Sequence, residues 1–320
     1  MSRKKRTETT PGWEQGLAEA DVTLWLSDTV PMPFRRIPAG EFLMGSRGEY
    51  PDEEPRHLVR ITRPFYMAVF PTTQHQYRTV VGRKKKEGLE PSPNDFKGDR
   101  RPVENVSWHD AVQWCGLLQN KPLLQDAEER LGGGQLNVGL PSEAQWEYAC
   151  RAGIDTEYYT GDGEAALQYA GWYKGNSGEE THDAGLKLAN RFRLYDMHGN
   201  VDEWCVDSFD EHAYKKRVDG VCDPFIDGAS DALRVVRGGC WFNSPWSCRS
   251  ACRIGWRPDF RNRGLGFRVC LFLGPCPGQA ERAEQASAGM ATRDEAAKPK
   301  RDRAASDFLD DFEESRFPPR

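Results

Sequence analysis

Between Gly153 and Leu233 lie about 80 residues with no sustained apolar period, and no other feature restricts the fold of this chain as much. A surface helix repeats its apolar residues about every 3.6 positions, and a half-buried strand repeats them every second one. Neither pattern lasts here beyond a few residues. Structureless connections of that length are uncommon in compact domains, so this stretch must be functional, or held by ions or aromatic side chains instead of backbone ladders. The chain carries the means, because 10 Trp can anchor loops that 31 Gly and 21 Pro can turn.

The flanks of this stretch are easier to read. Thr73 precedes Gln76 at capping-box spacing, and Tyr77, Val80 and Val81 make one apolar face that Gly82 can close. Ser107 with Asp110 repeats the signal ahead of Ala111, Cys115 and Leu118. Ser142 with Gln145 repeats it again ahead of Trp146, Ala149 and Cys150, with an end at Gly153. Short strands are expected at Leu58–Thr62, Phe65–Phe70, Leu233–Arg237 and Phe267–Leu273. No internal repeat is visible, so a single irregular α+β domain is expected, although 320 residues would allow two.

Three segments follow from composition. Residues 1–33 read as a polar N-terminal extension with a solvated Lys4-Lys5-Arg6 cluster, residues 34–274 as the domain, and residues 275–320 as a disordered tail. Within the tail, Phe308, Leu309 and Phe312 form one apolar stripe among acidic residues, which is either a solvated tail end or a motif that docks as a helix on a protein partner. The net charge of −5 argues against nucleic-acid binding through bulk positive charge. No apolar run is long enough to cross a membrane, and none follows the N-terminal Met-Ser-Arg-Lys-Lys-Arg as a secretory signal would, so a cytoplasmic chain is expected. In such a chain nine cysteines, an odd number, suggest free thiols or a metal site in place of a disulfide framework. Gly132-Gly133-Gly134 lacks the Gly-Lys-Ser/Thr ending of a phosphate loop and reads as a connector, and Lys84-Lys85-Lys86 reads as an exposed loop.

Six segments in order carry a resemblance. They are Ile37-Pro38-Ala39-Gly40-Glu41-Phe42-Leu43-Met44-Gly45, Pro102-Val103-Glu104-Asn105-Val106-Ser107-Trp108, Leu140-Pro141-Ser142-Glu143-Ala144-Gln145-Trp146-Glu147-Tyr148-Ala149-Cys150-Arg151, Leu194-Tyr195-Asp196-Met197-His198-Gly199-Asn200-Val201-Asp202-Glu203-Trp204, Arg237-Gly238-Gly239-Cys240-Trp241, and Gly266-Phe267-Arg268-Val269. With them the chain resembles the formylglycine-generating enzyme (sulfatase-modifying factor) family over roughly three quarters of its length. The resemblance implies a single domain with a variant of the C-type-lectin fold and little regular secondary structure. It also implies a structural calcium held by Asp196, Gly199, Val201 and Glu203, two carboxylates and two carbonyls of the kind hard cations prefer. The alternative is a metal-free turn built on Gly199 and Asn200. A second calcium site would fall near Tyr169–Gly185, without assignable ligands.

Oxidases of this family hold copper(I) through two cysteines in a C-x4-C pair, and soft thiolates suit that ion. Cys248 matches the second of these and would be the catalytic thiol of an active enzyme, but Asn243 stands where the first belongs. An amide oxygen is a hard, neutral ligand, so the usual copper pair is broken. A rebuilt Cys248/Cys252 or Cys240/Cys248 site is the alternative. The branch of the family that uses histidine-bound iron is not expected, since no H-x3-H pair occurs and residues 1–33 are too few for its extra domain.

What remains is a candidate face over residues 240–265. Trp241, Phe242, Asn243, Trp246, Ile254, Trp256, Arg257, Phe260 and Arg263 could bind a protein or a small ligand there, in the way of the family's ligand-binding relatives, including those diversified by retroelements. The plainer reading makes the aromatics core and the arginines solvated. The expectation is a non-catalytic member that binds through this face. The alternatives are a copper oxidase that converts a substrate cysteine to formylglycine, and a variable ligand-binding protein or defence-linked scaffold.

Overall fold

The computed structural model describes residues 11–48, 50–217 and 219–277. The tail motif of Phe308, Leu309 and Phe312 lies outside the described residues, as does the Lys4-Lys5-Arg6 cluster.

All three capping boxes form. The side chains of Thr73, Ser107 and Ser142 accept the backbone N–H groups of Gln76, Asp110 and Gln145 at 3.3, 3.1 and 3.2 Å, and the reciprocal bonds are present. They start the helices Gln74–Val81, Trp108–Gln119 and Glu143–Arg151. Gly82, at φ +95°, ends the first by donating its N–H to the Arg78 carbonyl, a conformation that costs glycine little.

The main sheet is antiparallel and orders its strands Val22–Ser27, Val30–Ile37, Phe65–Ala68, Cys270–Leu273 and Leu136–Gly139. Its first two strands correct the reading of residues 1–33 as a polar extension, and the boundary at residue 33 falls inside a strand. Val22, Leu24 and Leu26 are buried while Trp25 is half exposed, a strand alternation spread over too few residues to stand out among polar neighbours. The helix Pro11–Ala18 precedes them and stacks Trp13 on Phe70 at 4.5 Å.

A three-stranded sheet joins Val221–Cys222, His57–Ile61 and Gly40–Met44, and a four-stranded one joins Arg253–Trp256, Arg234–Arg237, Asp202–Ser208 and Leu265–Phe267. The expected strand Phe267–Leu273 is therefore two strands in different sheets, with Arg268 at the crossing. Arg268 is fully buried and donates to the Ala68, Val69 and Tyr195 carbonyls, so its side chain ties the two sheets together where the backbone ladder breaks.

Side chains fasten the aperiodic stretch. The Tyr159 hydroxyl lies 3.0 Å from the Ala170 carbonyl and 2.8 Å from that of Leu188. Trp172 stacks on His182 at 3.8 Å and carries the Lys187 ammonium at 3.9 Å over its ring. The stretch also contains Asp202–Ser208, a strand buried on both faces with four acidic or hydroxyl side chains, which no apolar alternation announces. Among the described residues no helix is long and apolar enough to cross a membrane.

Candidate functional site

The strand Arg234–Arg237 delivers the chain into Gly238 and Gly239, both at positive φ (+99° and +71°). A Cβ on Gly239 would lie 2.6 Å from the Cys248 sulfur, so glycine is required for both conformation and space. The chain then turns on Asn243, whose Oδ1 accepts the Cys240 N–H at 2.8 Å and lies 3.0 Å from the Cys240 sulfur. Its own N–H returns to the Cys240 carbonyl at 3.0 Å. Asn243 thus closes a turn and directs its amide oxygen inward to its own loop.

A single turn of 3-10 helix, Pro245–Cys248, places Cys248 in an apolar cluster with Tyr158, Leu167 and Tyr173. Burial pushes its thiol well above the ordinary value. The carbonyl of Cys248 takes a hydrogen bond from His198 Nδ1 at 2.7 Å. His198 Nε2 accepts the Tyr159 N–H at 3.2 Å, which fixes the neutral Nδ1–H tautomer, and burial lowers its pKa to about 3. His198 is therefore a strut and not a base.

Cys240 adjoins Asp202, a residue the sequence reading passed over. Asp202 lies against the Cys240 thiol and the Gly239 N–H, and its Oδ1 is buried with no partner among the described residues. Burial raises its pKa to about 7 and also raises the Cys240 thiol well above its ordinary value. Nucleophilic and soft-metal chemistry both need thiolate, and this environment favours the thiol. Cys252 is buried as well, and no disulfide joins any of the nine cysteines.

At the four positions expected to hold calcium, both carboxylates are engaged by donors of the protein itself. Both Glu203 oxygens are taken by the Arg268 guanidinium at 2.8–3.1 Å, and one also accepts the Trp146 indole N–H at 2.8 Å. Asp196 accepts the Gly185 N–H at 2.7 Å and the Asn200 amide at 3.3 Å, and burial raises its pKa to about 6. Arg268 also donates to the Asp196 carbonyl, so the guanidinium itself is the cation among these oxygens. Among the described residues no group of three or more His, Cys, Asp or Glu side chains could hold a metal ion.

The residues of the expected binding face separate into aromatic pairings. Trp241 is buried, packs edge-on against Phe96 and Phe242, and bonds through its indole to the Arg263 carbonyl, while the Arg263 guanidinium lies 4.9 Å over its ring. Trp246 stacks on Tyr50 at 4.5 Å, with Arg249 against both rings. Trp256 stacks on Phe260 at 4.6 Å, half-buried like Phe242, Trp246 and Ile254. Most of the arginines are committed: Arg249 to Glu53, Arg253 to Glu143, Arg257 to Asp259 and Arg261 to Asp110.

Beneath this region lies a buried ion network that sequence reasoning missed. Glu143 sits between Arg253 and Arg237, and Glu147 between Arg151 and Arg237. Burial alone would raise both carboxyls, but Arg253 and Arg237 hold Glu143, and Arg151 and Arg237 hold Glu147, below the ordinary value. The spacing of Glu143, Glu147 and Arg151 on one helix was the available signal.

An α+β domain of short strands, capped helices and side-chain-fastened loops is the architecture of the C-type-lectin-like variant expected above. The chain belongs to the sulfatase-modifying factor enzyme 1-like domain family, whose model matches residues 31–271. Among curated relatives, the chaperone protein LppX of Paenibacillus barcinonensis is 26% identical over 240 residues, covering 63% of this chain and 76% of the relative. The formylglycine-generating enzyme of Mycobacterium tuberculosis is 29% identical, covering 72% and 95%. The inactive C-alpha-formylglycine-generating enzyme 2 of Mus musculus is 25% identical, covering 74% and 85%. Among solved structures, Treponema denticola variable protein 1 superposes with a TM-score of 0.62 at 27% identity, covering 78% of this chain and 98% of its own.

Proposed function

We propose that this domain has left copper oxidase chemistry and works as a binding module for a protein or a small ligand. The observation that carries the reading is Asn243. It stands where the family resemblance calls for a copper thiolate, and its Oδ1 is spent on the Cys240 N–H. The second family thiol, Cys248, is wholly buried and kept protonated by its surroundings. Relatives named as a chaperone, an inactive enzyme and a variable protein support the reading, and the relative named as an active enzyme weighs against it.

The binding surface in this reading comprises the half-buried Phe242, Trp246, Ile254, Trp256 and Phe260 with Asn243 and the exposed Arg257 and Arg263, while Trp241 supports it from beneath. The tail motif of Phe308, Leu309 and Phe312 would recruit a second protein. Nine cysteines without a disulfide among them support a reducing, cytoplasmic setting.

A second reading is favoured by one observation. Gly239 lies so close to the Cys248 sulfur that a Cβ there would come within 2.6 Å of it, and Cys240 is the next residue, so an oxidase rebuilt on these two thiols would have both near one site. Titration of the reduced protein with Cu(I) against a competing chelator separates the readings. The binding-module reading expects no tight one-to-one complex. Tight binding that is lost on Cys248→Ser would overturn it.

A further inference from the structure

We infer that a surface cavity of about 370 Å³ beside the helix Ala213–Lys216 is a binding site for a phosphate group. Its lining is Ser46, Arg47, Glu54, Pro55, Arg56 and Lys215, and it belongs to neither the cysteine loop nor the aromatic pairings. Three of these six residues are cations. Arg47 and Lys215 are exposed and, among the described residues, neither forms an ion pair.

The wall holds two donors with nothing to bond. The Ser46 hydroxyl and Arg56 Nε are buried, and neither has a hydrogen-bond partner among the described residues. Unmet buried donors are costly, so a small shift of either side chain that brings its donor against a ligand's acceptor oxygens is favoured. Burial lowers the Arg56 pKa, and the charges of Arg151 and Arg47 lower it further, which shows how closely the guanidiniums are gathered. An anion relieves that crowding.

One carboxylate lines the cavity and a second pairs with its wall. Glu54 is engaged by the Gly48 N–H, and the exposed Asp155 pairs with Arg56. Glu54 offsets one of the three lining cations and Asp155 a second, which leaves one net positive charge and two exposed cations, Arg47 and Lys215, that form no ion pair among the described residues. A phosphate monoester presents three acceptor oxygens to a hydroxyl, a guanidinium and an ammonium, and the planar fork of an arginine matches it well.

The test is calorimetric titration of the full chain with inorganic phosphate at about pH 7.5 and fixed ionic strength, followed by the same titration with O-phosphoserine. Saturable one-to-one binding is expected. The double variant Arg47→Ala/Lys215→Ala should weaken it by about tenfold or more, since two charge-assisted contacts are lost. Both positions are exposed, so its melting temperature should match the parent. Arg56→Lys, which keeps the charge and loses Nε, should weaken binding without the double variant's full effect. Phosphoserine that binds at least as well as phosphate marks an esterified group as the natural ligand, and weaker phosphoserine binding marks free phosphate. Binding that fails to saturate, or that is equal in the parent and the double variant, overturns the site.

Discussion

Arg268→Met tests the claim that a guanidinium occupies the place a calcium ion was expected to share. The substitution keeps the volume roughly constant and removes the charge. Arg268 makes three bonds of 2.8–3.1 Å to Glu203 and donates to the Ala68, Val69 and Tyr195 carbonyls at 2.7–3.0 Å. Both side chains of the pair are at most 1% exposed, so solvent screening does not soften the loss. Breaking a buried pair from one side typically costs about 3–5 kcal/mol, because the partner charge stays buried. At about 2–4 °C per kcal/mol for a domain of this size, the melting temperature should fall by about 6–20 °C. Urea unfolding followed by circular dichroism, with calorimetry alongside, gives both numbers. The double variant Arg268→Met/Glu203→Gln should regain more than half of the loss. The amide keeps an acceptor for the Trp146 indole and leaves no orphaned charge. A single variant that loses less than about 1 kcal/mol, or a double variant no more stable than the single, would refute the assignment of Arg268 as the internal cation.

Three further outcomes are expected. Chelation should leave the melting temperature nearly unchanged; calcium bound at a hundredfold its Kd would contribute about 2.7 kcal/mol, or about 5–11 °C, and a drop of that size would restore the metal site. Ser142→Ala should cost about 1 kcal/mol by opening a capping box, read as a fall of about 2–4 °C, with Ser142→Asp retaining most of the stability. Asp202 has a folded pKa of about 7 against an ordinary 3.8, so its contribution is full below about pH 4 and is lost as the pH rises through 7. Urea midpoints of Asp202→Asn should therefore fall less than those of the parent from about pH 5 to pH 8, and parallel curves would count against the raised pKa.

The elements legible in the sequence share a property: their chemistry is local. Each capping box is complete within four residues, and all three formed at Thr73, Ser107 and Ser142. The strands at His57–Ile61 and Phe65–Ala68 likewise carry their own apolar residues. What escaped the sequence depends on partners far along the chain. The strand Phe267–Leu273 broke because Arg268 answers to Ala68, Tyr195 and Glu203, none of them nearer than 65 residues. The Val22–Ser27 edge was hidden for a different reason, since three alternating apolar residues are too few to outweigh a polar neighbourhood.

The same distinction decides how much of the candidate site could be read. That Asn243 stands where the family resemblance places a copper cysteine follows from spacing, visible in one line of sequence. Whether the remaining thiol can react is not. Cys248 packs among Tyr158, Leu167 and Tyr173, and its carbonyl is held by His198, about 50 residues away. A thiol in such a cluster contributes packing, and packing constrains its neighbours as strictly as catalysis would. Gly239 illustrates this, because any side chain there would strike the Cys248 sulfur or the backbone behind it. A motif of this kind can thus keep its glycines and its second cysteine for reasons of fit alone. Restoring Asn243→Cys would then return a thiol to the loop without returning the chemistry. The new side chain would forfeit the amide oxygen that accepts the Cys240 N–H, and Cys248 would still lie in an apolar wall that disfavours thiolate. On the binding-module reading, recovery of oxidase chemistry would therefore require opening that wall as well as replacing the ligand.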